Sequence, residues 1–235
     1  MNGEPTFTIL PLGDSALILS FGNVIDENIN KRILGLFYRI KSLSLNGIKD
    51  IVPSYSSLAI HYDVFIVKQK ALDNKTAFEI IAEEIKKITE ENNHTDASLS
   101  RKIKVPVCYA DKYALDMHAI SLEKKLSATE IISLHTGKKY RVYMIGFLPG
   151  FAYMGEVDDK LVMPRKAQPS NVEAGYVGIA GKQTGIYPLA SPGGWQIIGK
   201  TPLKLFDKEI KDPVLFQPGN EIEFYSISED EFKNY

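Results

Sequence analysis

The chain has 235 residues, 44% of them hydrophobic and 24% charged, which is ordinary for a globular protein and long enough for one large domain or two smaller ones. Its 28 basic and 29 acidic side chains give a net charge of −1, which provides no bulk field that would draw the protein to nucleic acid or to a membrane. The one cysteine, Cys108, excludes an internal disulfide and any multi-cysteine metal site, and we interpret it as a buried thiol.

The N-terminal segment MNGEPTFTILPLGDSALILSFG does not have the pattern of a signal peptide. It lacks a basic start and an uninterrupted apolar stretch, and no run elsewhere approaches the length that spans a membrane. We therefore expect a cytoplasmic protein that does not contact membranes.

The first part of the chain predicts two strand pairs, each followed by a helix. The strands are rich in β-branched and aromatic residues and cover residues 6–10, 16–21, 48–53 and 57–62. One helix is expected to be capped by Asp26 and to end near Gly47, and a second amphipathic helix is expected over residues 74–91. This ββαββα order predicts a small α+β sandwich over residues 1–92, with the helices on one face of an antiparallel sheet.

A change in composition predicts the domain boundary. Residues 93–100 are polar and have no hydrophobic period, so we interpret them as a linker. The second domain is then expected to cover residues 101–235.

The second domain is predicted to open with a strand and two helices and to continue as a β domain. After the strand IKVPVCY, a short helix is expected around residues 115–126. Ser127 and Glu130 have the spacing of a capping box for the next helix, which is expected to end at Gly137. Short β runs then alternate with Gly/Pro turns, which is typical of a β-barrel or sandwich.

Residues 140–202 hold most of the glycines, half or more of the prolines and the only tryptophan of the chain. Long glycine-rich loops between apolar strands are typical of a shaped site, because glycine permits close backbone approach and proline fixes φ. Candidate binding residues are therefore expected in this stretch.

The segment GYVGIAGK does not have the spacing of a phosphate loop. Five residues separate Gly175 from Gly181, and Gln183 stands where a magnesium-binding Ser or Thr is required. A strand followed by a tight turn is the simpler interpretation. Three residues leave that turn with groups that are able to bind an anion or an amide: Lys182, Gln183 and Thr184.

The segment SPGGWQIIGKTP carries the strongest local signal. Ser191 begins a turn, and Gly193 and Gly194 allow backbone N–H groups to converge on one acceptor. Trp195 is interpreted either as the floor of a pocket or as an anchor of the barrel core.

Two further side chains are candidates for binding. His135 ends a helix, where the helix dipole favours an imidazolium, and a ligand-binding role is the alternative. Arg165 is suited to hold a carboxylate or phosphate by its fork, although a plain surface role is also open. The sequence contains no paired metal-ligand spacing and no GxSxG elbow, so we expect no metal site and assign no catalytic residue.

Four segments together resemble the KipI/PxpB family, also described as the B subunit of 5-oxoprolinase or as allophanate hydrolase subunit 1-like. They are ATEIISLHTGKKYRVYMIGFLPGFAYMG, MPRKAQPS, AGYVGIAGKQTGIYPLASPGGWQIIGKTP and FQPGNEIEF. The resemblance is strong over residues 105–224 and weaker before them. Glu173 departs from the proline of the family's VPAG motif, and FAYMG replaces FPYLG, which puts local loop shape in doubt.

The resemblance implies a small N-terminal α/β domain followed by a cyclophilin-like β-barrel. It also implies two partners, the C subunit (allophanate hydrolase subunit 2-like) and the A subunit of 5-oxoprolinase, and an ATP-dependent enzyme that is inactive without them. ATP at the partner interface, with Mg as its counter-ion, follows from the same resemblance. In such a site Gly193, Gly194, Lys182, Gln183 and Arg165 are hypothesised to bind phosphate oxygens and the substrate carboxylate.

The resemblance leaves two other functions open. One is inhibition of sensor histidine kinase autophosphorylation, in which the barrel is a protein-binding surface. The other is a role in a urea or allophanate pathway, as one component of a larger enzyme. A cyclophilin-like fold does not by itself imply prolyl isomerase activity.

Overall fold

The structure, a computed structural model, describes residues 6–69, 74–91 and 101–235. Contacts between Cα atoms divide the chain into two compact units, Met1–Ser98 and Leu99–Tyr235. The linker predicted at residues 93–100 lies outside the described residues. Each unit contains its own hydrophobic core.

The first unit contains an antiparallel sheet of four strands in the order β1-β2-β4-β3. The strands are β1 (Thr8–Pro11), β2 (Ala16–Ser20), β3 (Ile48–Pro53) and β4 (Ser57–Tyr62). Alternate side chains of the central strands, including Leu17, Leu19, Leu58 and Ile60, are buried in the core of this unit. The two predicted strand pairs are therefore confirmed.

Within the described part of the first unit, three helices accompany this sheet: α1 (Glu27–Leu43), α2 (Val64–Gln69) and α3 (Ala77–Glu90). The cap predicted at Asp26 is confirmed, because its carboxylate accepts a hydrogen bond from the Ile29 N–H at 2.8 Å. Helix α2 was not predicted, since a run of six residues is too short to show a helical period. Its first turn is held by the Asp63 carboxylate, which accepts from the Phe65 N–H at 3.0 Å.

The second unit contains a closed barrel of seven strands in the order β10-β7-β6-β13-β5-β12-β9. The strands of this unit are β5 (Lys102–Cys108), β6 (Lys139–Ile145), β7 (Ala152–Gly155), β8 (Ser170–Val172), β9 (Tyr176–Ala180), β10 (Gln183–Ile186), β11 (Ser191–Gly193), β12 (Gln196–Lys200) and β13 (Glu221–Ile227). Strands β8 and β11 form a separate two-stranded sheet. Pairing is antiparallel throughout except between β5 and β13. The α+β class and the barrel are thus confirmed.

All seven barrel strands contribute to one buried core. Its members include Val107 of β5, Val142 of β6, Met154 of β7, Ile179 of β9 and Phe224 of β13. The inner sides of the strands face one another in a closed barrel, so these side chains fill the barrel interior. Residues outside the strands, among them Met117, Ile120 and Ile131, belong to the same core. Cys108 is buried at the end of β5, in line with its interpretation as a packed thiol.

Three α-helices lie within residues 101–235 of the second unit: α4 (Met117–Lys124), α5 (Ala128–Thr136) and α6 (Glu229–Lys233), with one 3-10 turn over Asp159–Leu161. The predicted capping box is confirmed, because Ser127 N donates to Glu130 Oε2 at 2.8 Å and Glu130 N donates to Ser127 Oγ at 3.2 Å. Among the described residues, no helix combines the length and the apolar character that crossing a bilayer requires.

Candidate functional site

A second apolar cluster covers the outside of the barrel. It draws on adjacent strands instead of all seven, and consists of Phe151, Val172, Tyr176, Ala180, Tyr187, Trp195 and Ile197 with Tyr113, Leu148 and Tyr153 packed against them. Four of its aromatic residues, Phe151, Tyr153, Tyr187 and Trp195, are referred to below as the outer aromatic face. The Trp195 ring meets Phe151 and Tyr153 edge-on, at centroid distances of 5.4 and 5.9 Å.

Trp195 is an anchor of this outer face. Only 4% of the Trp195 surface is exposed, which favours the interpretation as a packing anchor over that as the floor of a pocket. The anchor belongs to the outer cluster and not to the barrel interior. A Cβ on Gly185 would lie 3.0 Å from the Trp195 ring, so this glycine makes room for the indole. Burial raises the pKa of Tyr187, while the backbone N–H of Trp195 and the nearby Arg165 oppose that rise.

The loop before Trp195 is held by backbone pairing. Gly193 lies opposite Ser170 in the β8–β11 sheet, and a Cβ on Gly193 would overlap the Tyr187 hydroxyl. The Gly194 carbonyl accepts from the Lys166 N–H at 2.7 Å. Packing against Tyr187 therefore explains Gly193, and convergence of the two N–H groups on a ligand stays a prediction.

Arg165 is placed beside Trp195 by hydrogen bonds on both sides of it. Gln196 Nε2 donates to the Pro164 carbonyl at 3.1 Å, and the Lys166 N–H donates to the Gly194 carbonyl. The segment 164–166 therefore runs alongside the segment 194–196. A Cβ on Gly194 would lie 3.9 Å from Arg165 Cβ, which shows how closely the two segments approach each other.

The guanidinium of Arg165 has no acidic partner within residues 6–69, 74–91 and 101–235. The residue is exposed, and the salt bridges nearby are made by lysines. The adjacent Lys166 differs, because its ammonium lies 2.6 Å from Asp116 Oδ2. Burial raises the pKa of Tyr153, and the positive charge of the nearby Arg165 reduces that rise.

Lys182 and Gln183 lie at the β9–β10 hairpin. The predicted strand and tight turn are confirmed, with Gly181 in the left-handed region at φ +56°. The Lys182 ammonium is 3.8 Å from Glu156 Oε2 and 3.8 Å from Asp159 Oδ1. This lysine is therefore partly neutralised at the end of the barrel.

Gln183 belongs to the same side of β10 as the outer aromatic face. Side chains two residues apart share one side of a strand, and a Cβ on Gly185, two residues on, would point at the Trp195 ring at 3.0 Å. Ser191 is partly exposed at the start of β11, and its hydroxyl donates to the Pro192 carbonyl at 3.3 Å.

His135 and Thr184 are fully buried and hydrogen-bonded to each other. The Thr184 hydroxyl donates to the Gly178 carbonyl at 3.2 Å, so it accepts from His135 Nε2–H at 2.9 Å. Nδ1 then accepts from the Tyr109 hydroxyl at 2.8 Å. Burial lowers the pKa of His135 from 6.5 to about 3. The predicted imidazolium is therefore wrong, because a fully buried site with this hydrogen bonding requires the neutral ring.

Sequence reasoning did not identify the tyrosines of this site. Tyr153 and Tyr187 stand in short runs that read as ordinary strand sequence. The available signal is the alternation of Phe151 and Tyr153, which places both rings on one side of a strand end. Their contact with Trp195 depends on strand pairing and cannot be read from spacing.

Comparison with known proteins gives a consistent family match. The family model described as carboxyltransferase domain, subdomain C and D, matches residues 7–216. The chain is 35% identical over 231 residues to the B subunit of 5-oxoprolinase from Bacillus subtilis (strain 168), covering 97% of this chain and 96% of that protein. It is 28% identical over 265 residues to urea amidolyase of Lachancea kluyveri, covering 100% of this chain and 14% of that protein. The crystal structure of the protein TTHA0988 superposes with a TM-score of 0.77 at 31% identity, covering 91% of this chain, which spans 40% of that one.

Proposed function

This chain belongs to the family described as carboxyltransferase domain, subdomain C and D. We propose that it is the B subunit of an ATP-dependent 5-oxoprolinase. This enzyme opens 5-oxo-L-proline to L-glutamate and also requires the A and C subunits. The observation that carries this proposal is the end-to-end match, in both directions, with a relative that bears the name of this B subunit. The match with urea amidolyase supports it less, because most of that protein lies outside the similar region.

The reaction requires activation of a poor electrophile. Transfer of the γ-phosphoryl group of ATP to the lactam oxygen creates a leaving group, and water then attacks the ring carbon. The ring C–N bond breaks with a proton delivered to the nitrogen, which gives γ-glutamyl phosphate, and a second water hydrolyses this acyl phosphate to L-glutamate and phosphate. Such a site needs donors for phosphate oxygens and a cation for the substrate carboxylate.

We assign these roles to the outer side of the barrel. Gln183 and Lys182 lie beside each other at the β9–β10 hairpin, where an amide and an ammonium are available to phosphate or lactam oxygens. We assign to Ser191, Gly193, Gly194 and Trp195 the shaping of the rest of this site. His135 and Thr184 are fully buried and hydrogen-bonded to each other, so we assign to them the role of holding the hairpin in place.

We infer that Mg-ATP is not held by this chain alone. Among them, no group of three or more His, Cys, Asp and Glu side chains is placed to hold a metal ion. The sequence between Gly175 and Lys182 also lacks the phosphate-loop spacing. We therefore place ATP and its Mg chiefly on the partner proteins, next to this barrel face.

The test is glutamate formation from 5-oxo-L-proline and ATP by the chain mixed with the A and C subunits, with each omitted in turn. We expect product only with all three. An unchanged rate without this chain contradicts the proposal. Urea and allophanate serve as alternative substrates, since turnover of these in place of the lactam indicates the urea-pathway role. A histidine kinase autophosphorylation assay with the same preparation tests the inhibitor role.

A further inference from the structure

Arg165 has an unused guanidinium in a position that is fixed by the fold. Its backbone neighbours are tied to the segment 194–196, while its side chain is exposed and lacks an acidic partner among the residues that the structure describes. Three lysines nearby along the same strands and loops, Lys166, Lys182 and Lys200, each lie within 4 Å of a carboxylate: 2.6, 3.8 and 2.7 Å. Arg165 is thus the residue of this group whose charge is uncompensated.

One uncompensated positive charge suits a ligand with one negative charge. A guanidinium binds the two oxygens of a carboxylate through two parallel hydrogen bonds. A phosphate carries nearly two negative charges and three acceptor oxygens at neutral pH, and its binding calls for more donors than this position has. The charge pattern therefore favours a carboxylate at Arg165.

The surface beside Arg165 is aromatic. Tyr153 is half-buried there, and its ring stands 4.8 Å from Phe151. Phe147, whose ring meets that of Phe151 edge-on at a centroid distance of 5.7 Å, is 63% exposed and has a φ of +68°, a left-handed conformation that is unfavourable for a non-glycine residue. An exposed phenylalanine held at this cost gains little from folding, which is the pattern of a ring kept for contact with another molecule.

We propose that Arg165, Tyr153 and Phe147 form a subsite for a small monocarboxylic acid whose carboxylate is attached to a flat, uncharged ring. Arg165 binds the carboxylate and the aromatic rings contact the ring of the ligand. This rests on the proposed function in one respect: the acid is taken to be 5-oxo-L-proline. Arg165 is then the residue that separates this lactam from lactams without a carboxylate.

Binding is measured with the chain alone, because its single tryptophan, Trp195, lies in the outer aromatic face and reports on the subsite by fluorescence. The probes are 5-oxo-L-proline, 2-pyrrolidinone, which has the same ring without the carboxylate, and inorganic phosphate. We expect a saturable change with 5-oxo-L-proline alone. Arg165→Ala should weaken binding at least tenfold, Arg165→Lys should weaken it less, and Lys31→Ala, which removes a positive charge from the first unit, should leave it unchanged.

Each outcome of these titrations supports or overturns the subsite. No response to 5-oxo-L-proline, an equal response to 2-pyrrolidinone, a response to phosphate alone, or equal affinity in Arg165→Ala overturns it. Failure of the proposed function looks different, since binding then persists while the complete mixture forms no glutamate. In an active mixture, Arg165→Ala should raise the KM for 5-oxo-L-proline tenfold or more and leave the KM for ATP unchanged, and an unchanged KM for the lactam also overturns the subsite.

Discussion

Two adjacent glycines, Gly193 and Gly194, have different structural roles in the loop before Trp195. At Gly193 the space where a side chain would stand is filled by the ring and hydroxyl of Tyr187. At Gly194 a Cβ would meet the Lys166 carbonyl oxygen at 3.7 Å and Arg165 Cβ at 3.9 Å, which are ordinary contacts. The two glycines look like one motif in the sequence, but only Gly193 is required by close packing.

Replacing each glycine by alanine should separate these roles. Gly193→Ala forces Tyr187 or the β8–β11 sheet to move, and we expect a loss of about 1–3 kcal/mol in the free energy of unfolding. Gly194→Ala is the matched control and should change stability little. Urea unfolding followed by Trp195 fluorescence measures both. Equal losses in the two variants contradict the packing role of Gly193.

At the scale of elements, His135 ties helix α5 to the barrel. Its Nδ1 accepts from Tyr109, and its Nε2–H reaches Thr184 on β10, which in turn donates to Gly178 on β9. Protonation of Nδ1 would turn that acceptor into a donor, so the Tyr109 hydroxyl could no longer donate to it, and the buried ring would carry a charge. The tie between helix and hairpin therefore depends on the neutral imidazole.

This dependence has a pH signature. Burial lowers the pKa of His135 from 6.5 to about 3, so between these values the unfolded chain binds a proton that the folded chain does not. The free energy of unfolding is therefore unaffected by the ionisation of this histidine above pH 6.5. It decreases as the pH falls from 6.5 towards 3, by up to about 1.4 kcal/mol per pH unit. Urea unfolding of wild type and His135→Gln at about pH 7, 6, 5 and 4, followed by Trp195 fluorescence, measures the slope. Equal slopes in the two proteins contradict the prediction, whatever their absolute stabilities.

Elements with local signals were predictable from the sequence, and the site was not. The capping box at Ser127 and the alternating strands 48–53 and 57–62 are each recognisable within a few residues. Arg165 was recognised as an anion-binding candidate from its chemistry alone. Its position beside Trp195 arises from pairing between segments about thirty residues apart, and the buried state of His135 depends on barrel closure, neither of which has a local pattern.

At the scale of the whole barrel, closure depends on its last strand. Strand β13 pairs with β5 in parallel over seven residues and with β6 in antiparallel orientation, so it joins the first barrel strand to the second. Phe224 of β13 is buried in the interior and stacks on the His135 ring at a centroid distance of 4.5 Å. The same side chain therefore supports the closure and the tie to α5.

Truncation of Phe224 should consequently weaken the barrel as a unit. Phe224→Ala leaves a cavity between the barrel interior and α5, and we expect a loss of about 3–5 kcal/mol in the free energy of unfolding. Tyr225→Ala, the neighbouring aromatic on the same strand but 38% exposed, is the control and should cost much less. Amide hydrogen exchange should show faster exchange across β5 and β6 in Phe224→Ala, because both pair with β13. Acceleration confined to β13 itself would show that the barrel does not depend on this closing strand.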